Sequence, residues 1–402
     1  MDLKADVIVV GGGPCGSFTA FKMAKLNVKV LVCEEHSEIG VPSHCAGHVS
    51  LQGLKQLGLH LPKEVIENEI RSAIFYSPSG FEFKVQFAAP VTYVLNRTLF
   101  DRFLAGLAEK AGAEYRVGTR VDSLLADSGR VSGVLTNNEA LKSKLVIDCE
   151  GCSSLLLKKA RLPTLDRTLV VQGVEAEVDK IEAVEKETVE VYLGQKYAPG
   201  FYAWIIPRRD GSAKIGLATS RGNTKACLKR LISHHPKAKS KLGGSEIVRI
   251  SYHPITLGGP LTPSYHDGLL IVGDAASQVK PTTGGGIIMG LNCAQIASET
   301  AYEAIKQGDT SSTFLSIYQK QWKEKISFDM AVMRRMRLLL NRLSDRQLDK
   351  IIAMSSQLGL DKSLTQVGDI DFQGRGMRPL FRSPAAWTIA MYTIISSLVS
   401  PF

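Results

Sequence analysis

A strand, a glycine-rich turn, a helix and a second strand open the chain, and this pattern constrains the fold more than any other feature. The segment reads ADVIVVGGGPCGSFTAFKMAKLNVKVLVCEE. Its apolar run at 7–10 predicts a buried strand, residues 14–26 predict a helix, and residues 28–33 predict a second strand. Such a β-α-β unit is the start of a parallel sheet covered by helices, so we predict an α/β fold with a Rossmann-like domain.

The glycines of this turn are spaced G-x-G-x-x-G at Gly11, Gly13 and Gly16. Gly11 permits the tight turn, Gly13 lets a pyrophosphate approach the backbone, and Gly16 lets helix and strand pack closely. Glu34 ends the second strand, where a carboxylate can accept hydrogen bonds from a ribose. We therefore predict a dinucleotide site, and its further cofactor contacts are Pro14, Cys15 and Glu35.

Composition and charge narrow the class of protein. The chain has 402 residues, of which 44% are hydrophobic and 22% charged, so we expect more than one domain. The net charge of +10 suits an anionic membrane surface or a phosphorylated substrate. Because no Lys/Arg-rich run marks a nucleic-acid arm, we predict no nucleic-acid partner. Seven cysteines, an odd number spread along the chain, indicate a reducing, cytoplasmic compartment.

Two cysteine patterns resemble metal sites only superficially. Cys149 and Cys152 form a C-x-x-C pair without a second pair to complete a four-cysteine zinc site. His44, Cys45 and His48 lie in the sequence HCAGH, whose spacing fits no common site. We predict no bound metal.

The C-terminal region combines basic and apolar segments. Residues 331–382 contain ten Lys/Arg against five Asp, and the twenty residues 383–402 carry no charge. That length suffices to cross a bilayer, but four serines, two threonines and two prolines favour a buried or interfacial helix. A basic segment followed by an apolar one indicates peripheral membrane contact, and a helical cap with a solvated basic face is an equal alternative.

A second glycine-rich segment identifies the dinucleotide. DGLLIVGDAASQVKPTTGGGIIMG begins with an apolar strand at 269–272 and continues through Gly273 and Asp274 to a helix from about Gly286. It resembles the second fingerprint of flavoproteins of the p-hydroxybenzoate hydroxylase and geranylgeranyl reductase superfamily. The resemblance implies FAD, with Asp274 on the ribityl chain and with the helix start on the flavin pyrimidine edge. The residues implied at that edge are Gly285, Gly286 and Ile287.

Further segments resemble the same superfamily in the same order. LVIDCEGCSSLLLKKA places Glu150 and Gly151 at a cofactor loop, LNRTLFDRFL places Arg97 near the flavin, and Val121 falls at an adenine-side contact. No second G-x-G-x-x-G domain is visible, so the reductant is an external donor such as NADPH or ferredoxin.

The segment APGFYAWIIP resembles the P-x-x-Y-x-W-x-F-P signature of geranylgeranyl reductases. Pro199, Tyr202, Trp204 and Pro207 match, and Ile206 replaces the usual Phe. Alternation along a strand puts Tyr202 and Trp204 on one face, which suits a long apolar chain, although core packing also uses such patterns. Flavin-dependent halogenases carry a related W-x-W-x-I-P.

A loop after Glu34 resembles a third family element. EIGVPSHCAGH matches the E-I-G-x-P-x-x-C loop of archaeal geranylgeranyl reductases, with Cys45 at the cysteine. The resemblance implies that Cys45 donates or positions a proton, while Tyr202 and Trp204 stabilise positive charge on the substrate. Cys45, Ala46 and Gly47 are also predicted to line the cofactor.

The resemblance implies an FAD-dependent reductase that saturates prenyl double bonds of isoprenoid lipids, with digeranylgeranylglycerophospholipids of archaeal membranes as the expected substrate. A flavin monooxygenase or halogenase is the alternative enzyme, and an FAD-bound membrane scaffold is the non-catalytic one. We predict a discontinuous FAD domain, an antiparallel substrate-sheet domain and a C-terminal helical region, with bounds 1–70, 95–163 and 263–330; 71–94 and 164–262; and 331–402.

Overall fold

The computed structural model describes residues 4–137, 139–181, 183–367 and 369–399, so residues 400–402 of the predicted apolar segment lie outside it. The chain divides into two compact units, each assembled from three segments. Unit 1 comprises Met1–Ser43, Arg97–Arg167 and Thr256–Met330, and unit 2 comprises His44–Asn96, Thr168–Ile255 and Ala331–Phe402.

Strands occur in both units. Within the described residues they are β1 (Val7–Val10), β2 (Val30–Cys33), β3 (His48–Ser50), β4 (Ile66–Ile70), β5 (Ser72–Tyr76), β6 (Glu82–Gln86), β7 (Thr92–Leu95), β8 (Glu114–Arg116), β9 (Val121–Asp127), β10 (Arg130–Thr136), β11 (Ala140–Lys142), β12 (Leu145–Asp148), β13 (Val170–Asp179), β14 (Thr188–Tyr192), β15 (Ala203–Pro207), β16 (Ala213–Thr219), β17 (Glu246–Thr256), β18 (Tyr265–His266) and β19 (Leu269–Ile271).

Helices also occur in both units. The α-helices of the described residues are α1 (Pro14–Ala24), α2 (Leu51–Gln56), α3 (Arg97–Lys110), α4 (Leu155–Lys159), α5 (Thr224–His234), α6 (Pro236–Leu242), α7 (Ile287–Gln307), α8 (Ser312–Asn341), α9 (Asp345–Gln357), α10 (Leu360–Leu364), α11 (Gln373–Gly376) and α12 (Pro384–Val399).

The main sheet of unit 1 has the order β18-β19-β12-β1-β2-β8 and is parallel apart from β18. Every residue of β1, β2, β12 and β19 is buried, which explains their continuous apolar sequences. Parallel strands end at one edge, so the turns after β1, β12 and β19 lie together there. A smaller sheet, β11-β10-β9, packs on this core.

The main sheet of unit 2 has the order β17-β13-β16-β15-β14-β5-β6, and its pairs from β13 to β6 are antiparallel apart from β14 with β5. Ala203 and Ile205 of β15 share a core with Leu228 and Leu231 of α5. Alternation therefore turns Trp204 to the opposite face of the sheet. A second sheet, β3-β7-β4, belongs to the same unit. The predicted α/β class, with a Rossmann-like parallel sheet, an antiparallel sheet and C-terminal helices, is confirmed.

Helix α12 reverses the usual distribution of polar and apolar side chains. Its buried side includes Ser396 and Ser397 beside Ile389, and Gln347 of α9 donates a hydrogen bond to the carbonyl oxygen of Ser396 at 3.3 Å. The exposed side is apolar and comprises Trp387, Met391, Ile394, Ile395 and Leu398. Among the described residues, no helix is both long and apolar enough to cross a bilayer.

Candidate functional site

Two glycines in the turn between β1 and α1 leave no room for a side chain. Gly11 has a φ of 96°, and a Cβ there would lie 2.5 Å from the carbonyl oxygen of Cys149. A Cβ on Gly16 would collide with the carbonyl oxygen of Gly11. The close approach of β1, α1 and the segment after β12 therefore depends on these glycines, in the manner of a dinucleotide fold.

Gly13 lies in the opposite environment. No atom is within 4 Å of the point where its Cβ would stand. Gly13 is also the N-cap of α1, Pro14 follows at the first helical position, and no described side chain caps the helix start. An open backbone at a helix N-terminus fits a pyrophosphate, because unsatisfied N–H groups face the negative charge.

Glu34 follows β2 and already holds the turn in place. Its Oε2 accepts the backbone N–H of Gly12 at 2.7 Å, and its Oε1 accepts the N–H of His36 at 3.0 Å. A carboxylate has about four acceptor positions, so a ribose hydroxyl can still bind. The neighbouring Glu35 is exposed.

The sulfur of Cys15 joins the two fingerprint segments. A Cβ on Gly273, after β19, would lie 2.8 Å from the Cys15 sulfur, and a Cβ on Gly290 of α7 would lie 2.5 Å from it. Gly273 also needs its positive φ of 72°. Burial raises the pKa of the Cys15 thiol, so this sulfur is a neutral packing group.

Asp274 is half-buried and lies near polar side chains of unit 1. Its Oδ2 is 3.6 Å from the Cys152 sulfur. Burial raises its pKa, and the positive charge of Arg97 partly opposes that rise. Arg97 in turn pairs with Asp101 at 3.1 Å, on the first turn of α3. A half-buried carboxyl beside these donors fits hydroxyl groups of a sugar or ribityl chain.

The N-terminus of α7 is built from glycines. A Cβ on Gly286 would lie 2.7 Å from Oδ1 of Asp274, and Gly285 donates its N–H to Oγ1 of Thr283 at 3.3 Å. Helix α7 begins at Ile287, and within the described residues no side chain caps it. The positive end of the helix dipole is thereby available to an anionic ring edge.

The carboxylate of Glu150 serves the local structure. It accepts the backbone N–H groups of Leu155 at 2.9 Å and Leu156 at 3.0 Å, at the start of α4. Its own N–H donates to Oδ1 of the buried Asp148 at 2.9 Å. A cofactor contact of Glu150 is therefore expected from its backbone. Gly151 and Val121, the remaining predicted contacts in unit 1, are half-buried.

Cys45, Ala46 and Gly47 belong to unit 2, unlike the other predicted cofactor contacts. The N–H of Gly47 donates to the Cys45 sulfur at 3.4 Å. Gly47 has a φ of 71°, and a Cβ there would collide with the carbonyl oxygen of Leu95. The Leu95 N–H donates to the Gly47 carbonyl oxygen at 2.8 Å. The half-buried thiol of Cys45 is thus held by a tight, glycine-dependent turn.

Tyr202 and Trp204 form the predicted aromatic surface, although β15 begins at Ala203, after Tyr202. Their rings meet edge to face, with centroids 5.8 Å apart. Trp204 covers Gly216 of β16, where a Cβ would lie 2.5 Å from the indole. Trp204 is 8% exposed and Ile206 is 4% exposed, so this surface is screened from water in unit 2.

Sequence reasoning missed Arg337 of α8, which lies against the same aromatic group. Its guanidinium carbon is 4.5 Å from the ring centroid of Phe201 and 5.8 Å from that of Tyr202. Burial lowers the pKa of Arg337 to about 10 and raises that of Tyr202 to about 12. At neutral pH Arg337 is therefore charged and Tyr202 is a neutral phenol.

Sequence reasoning also missed a buried charge cluster beside Trp204. Glu175 of β13 is 5% exposed and Lys214 of β16 is 4% exposed. Burial raises the pKa of Glu175 to about 7, against the opposing effect of Lys214. The indole N–H of Trp204 faces Glu175 and also lowers that pKa, although the pair falls outside regular hydrogen-bond geometry. A lysine within the apolar run AKIGLAT was the available sequence signal.

Within the described ranges, no group of three or more His, Cys, Asp or Glu is placed to hold a metal ion. The glycines of unit 1, the uncapped starts of α1 and α7 and the half-buried Asp274 fit FAD. Each of these features suits one part of a dinucleotide: phosphates at α1, hydroxyls at Asp274 and a ring edge at α7.

Comparison with known proteins agrees with this chemistry. Residues 4–323 match the family model for an FAD binding domain. The digeranylgeranylglycerophospholipid reductase 2 of Methanopyrus kandleri is 35% identical over 80% of this chain and 83% of its own. The corresponding reductase of Methanocaldococcus jannaschii is 35% identical over 88% of this chain and 90% of its own.

Solved structures distinguish a related reductase-like protein from proteins that share only the fold. A geranylgeranyl bacteriochlorophyll reductase-like protein of Thermoplasma acidophilum superposes with a TM-score of 0.86 at 29% identity, over 96% of this chain and 99% of its own. A flavin-dependent brominase gives 0.70 at 16% identity, over 96% of this chain and 97% of its own, which shows the fold alone. The chain is an FAD-dependent oxidoreductase and belongs to the geranylgeranyl reductase family, alongside the digeranylgeranylglycerophospholipid reductases.

Proposed function

We propose that this protein saturates the prenyl double bonds of digeranylgeranylglycerophospholipids during the synthesis of archaeal membrane lipids. The supporting observation is its similarity to reductases of that name, which are 31–35% identical over 80–88% of this chain. The buried aromatic surface of unit 2 supports an apolar substrate, because aromatic side chains bind long hydrocarbon chains without a polar requirement.

Unit 1 provides the proposed FAD contacts. Gly13 and Pro14 at the start of α1 would bind the pyrophosphate, Glu34 a ribose, and Asp274 the ribityl chain. Further contacts are proposed at Gly11, Cys15, Gly16, Glu35, Arg97, Val121, Glu150, Gly151, Gly273, Gly285, Gly286 and Ile287 of unit 1 and at Cys45, Ala46 and Gly47 of unit 2. When bound and reduced, FAD supplies a hydride, and an external donor reduces the flavin again.

The remaining chemistry requires a proton, because an isolated trisubstituted alkene is a poor electrophile. We assign this proton to the thiol of Cys45, which the Gly47 turn holds in a fixed geometry. Proton transfer to one alkene carbon leaves positive charge on the other. The π-faces of Tyr202 and Trp204 would stabilise that charge by about 0.5–2 kcal/mol. Burial of the Trp204 ring limits access of water, which would otherwise capture the cation.

Peripheral membrane association belongs to the same proposal. A prenyl chain gains about 0.8 kcal/mol for every buried CH₂, so such a lipid leaves a bilayer only at high cost. The apolar face of α12 exposes Trp387 at 52%, Met391 at 58% and Leu398 at 74%. Exposed Arg378 and Arg382 precede that helix and complement anionic headgroups. We propose that this face lies in the cytoplasmic surface of the membrane.

An anaerobic reaction tests the proposed function. The purified holoenzyme is reduced with dithionite, mixed with digeranylgeranylglycerophospholipid, and followed by flavin absorbance and lipid mass spectrometry. Reoxidation of the flavin with a gain of two hydrogen atoms per saturated bond is expected. Flavin that stays reduced until air is admitted, with lipid of unchanged mass, contradicts ene-reduction and points to the monooxygenase or halogenase alternative. The solved halogenase neighbours of this chain are only 14–17% identical to it, a similarity that shows the fold alone.

A further inference from the structure

A buried lysine of unit 2 contacts the turn that carries Cys45. The ammonium group of Lys214 donates to the carbonyl oxygen of Ala46 at 3.3 Å and to that of Leu95 at 3.0 Å. It is also 2.7 Å from Oε2 of Glu67. An ammonium group has three N–H donors and needs a partner for each one when it is buried. Two of the three acceptors of Lys214 are backbone atoms of the Cys45 turn and of the strand to which that turn bonds.

The carboxylate of Glu67 is shared between Lys214 and Arg208, and this ion pairing keeps Lys214 in place. Its Oε2 also lies 3.2 Å from Nε of Arg208, and Arg208 pairs with Glu177 at 3.0 Å. These two cations and two carboxylates balance in charge. Glu175 is the fifth ionisable member of the cluster, and Trp204 faces it from β15. The same cluster therefore contacts both the aromatic strand and the Cys45 turn, all within unit 2.

Two further hydrogen bonds hold the Cys45 turn. Its sulfur accepts the Gly47 N–H, and the Gly47 carbonyl oxygen accepts the Leu95 N–H. The carbonyl oxygen of Ala46, between these residues, is oriented by Lys214. Rotation of the peptide between Ala46 and Gly47 would break that bond and leave a buried ammonium donor without its acceptor.

We propose that Lys214 is a positioning residue of the reaction, which fixes the Cys45 thiol by holding the carbonyl oxygens of Ala46 and Leu95. Lys214 itself makes no contact with the reacting atoms in this assignment. The reaction consumes a thiol proton at Cys45, and solvent returns it, so Lys214 neither gains nor loses a proton. This inference rests on the proposed role of Cys45, but its first test does not require catalysis.

The first test measures the chemical accessibility of Cys45 in the full-length protein. Iodoacetamide is added, and alkylation of the Cys45 peptide is followed by mass spectrometry, which separates it from the other cysteines. Lys214→Met preserves the length of the side chain but removes every donor, so alkylation of Cys45 should become about 5- to 30-fold faster. Lys214→Arg keeps the donors and the charge and should restore most of the protection.

Lys241→Met is the matched control. Lys241 is a second, half-buried lysine of unit 2, it pairs with Glu190 at 2.5 Å, and it donates to the hydroxyl of Tyr76 at 3.1 Å. Its loss should disturb packing to a similar extent without changing alkylation of Cys45. Equal acceleration in Lys241→Met and Lys214→Met would overturn the proposal, because general loosening would then explain the result.

A second variant covers the case in which Lys214→Met does not fold. Lys214→Met combined with Glu67→Met replaces the ion pair with apolar side chains, an exchange that is often neutral for stability. The double variant should fold and should still expose Cys45. A folded double variant with the wild-type alkylation rate would overturn the proposal.

Single-turnover reduction of the lipid then connects position to chemistry. Lys214→Met should slow reoxidation of reduced FAD and enlarge its solvent deuterium isotope effect, since proton transfer from a displaced thiol becomes the slow step. A slower turnover with an unchanged isotope effect contradicts the positioning role. If the wild-type enzyme reduces no lipid while Lys214→Met still exposes Cys45, the proposed function fails and the structural inference stands.

Discussion

At the scale of single residues, the sulfur of Cys45 is the atom on which the proposed chemistry depends most. The turn around it uses a glycine with positive φ, a hydrogen bond from the Gly47 N–H to the sulfur, and one from the Leu95 N–H to the Gly47 carbonyl oxygen. Replacing the thiol with a serine hydroxyl should therefore affect the chemistry while keeping an acceptor for the Gly47 N–H.

We expect Cys45→Ala to slow single-turnover reoxidation of reduced FAD by the lipid about a hundredfold or more, which is the usual contribution of a general acid. Cys45→Ser, which keeps a weaker acid, should retain part of the rate. Cys227→Ala removes a buried thiol from the core of the same unit and should leave the rate unchanged. A Cys45→Ala enzyme with the wild-type rate would exclude the thiol from the reaction.

Gly216 limits the position of Trp204. A Cβ at this residue would lie 2.5 Å from Cζ2 of the indole and 2.7 Å from the carbonyl oxygen of Val174. Gly216→Ala should therefore lower the free energy of unfolding by about 1–3 kcal/mol, as overpacking of a core does, and should alter the near-ultraviolet circular dichroism. Gly106→Ala is the control, since no atom lies within 4 Å of its Cβ position. Denaturant midpoints that coincide for Gly216→Ala and wild type would disprove the clash.

At the scale of secondary-structure elements, the sequence predicted the strands and helices around the two glycine fingerprints well. Each had a buried apolar run, a glycine turn and a helix in order, and such local patterns leave few alternatives. Helix α1 nevertheless ends at Ala24, two residues before the predicted end, because Asn27 adopts a positive φ of 59° and turns the chain. The sequence also did not predict which face of α12 is exposed, since serines usually face water.

The apolar face of α12 should anchor the protein to lipid. We expect Ile395→Glu with Leu398→Glu to weaken cosedimentation with vesicles of anionic phospholipid at least tenfold, since two apolar side chains no longer enter the bilayer. Thr388→Glu adds a charge at an exposed position on the flank of the same helix and should have a smaller effect. Undiminished vesicle binding by the double variant would show that another surface makes the contact.

At the scale of the whole molecule, the features that the sequence did not predict depend on contacts between residues far apart in the chain. Lys214, Glu67 and Glu175 lie on three different strands, and nothing in the spacing of the chain brings them together. Arg337 reaches the aromatic strand from a helix more than a hundred residues later. Ionic clusters of this kind depend on sheet order, which one sequence does not specify. The fingerprint glycines and Asp274 could be predicted from the sequence because their spacing is local.

The raised pKa of Glu175 makes stability depend on pH. With a pKa of about 7 in the folded protein and an ordinary value of 4.5 when unfolded, the folded state binds the extra proton between these values. Stability therefore falls as pH rises through this window and stays lower above it, by roughly 3 kcal/mol from this group. Glu175→Gln should lose this component when unfolding by denaturant is measured at pH 5, near the lower end of the window, and at pH 8, above it.

The contribution of Glu175 is isolated by the difference in the free energy of unfolding between wild type and Glu175→Gln at each pH. Asp101 and Asp274 also have pKa values raised by burial, and their effects cancel in that difference. A difference that is the same at both pH values would mean that Glu175 ionises normally in the folded protein.

The contact of Cys15 with Gly273 and Gly290 restricts the order in which this family can change its sequence. A methyl group at position 290 has no space while the sulfur is present, so the larger residue is admissible on α7 only after position 15 has become smaller. The two fingerprints are separated by more than 250 residues, yet they constrain each other. The same substitution in one fingerprint is harmful or harmless according to the residue that it contacts in the other. A search for natural variants should accordingly find a small residue at one of these positions wherever the other is large.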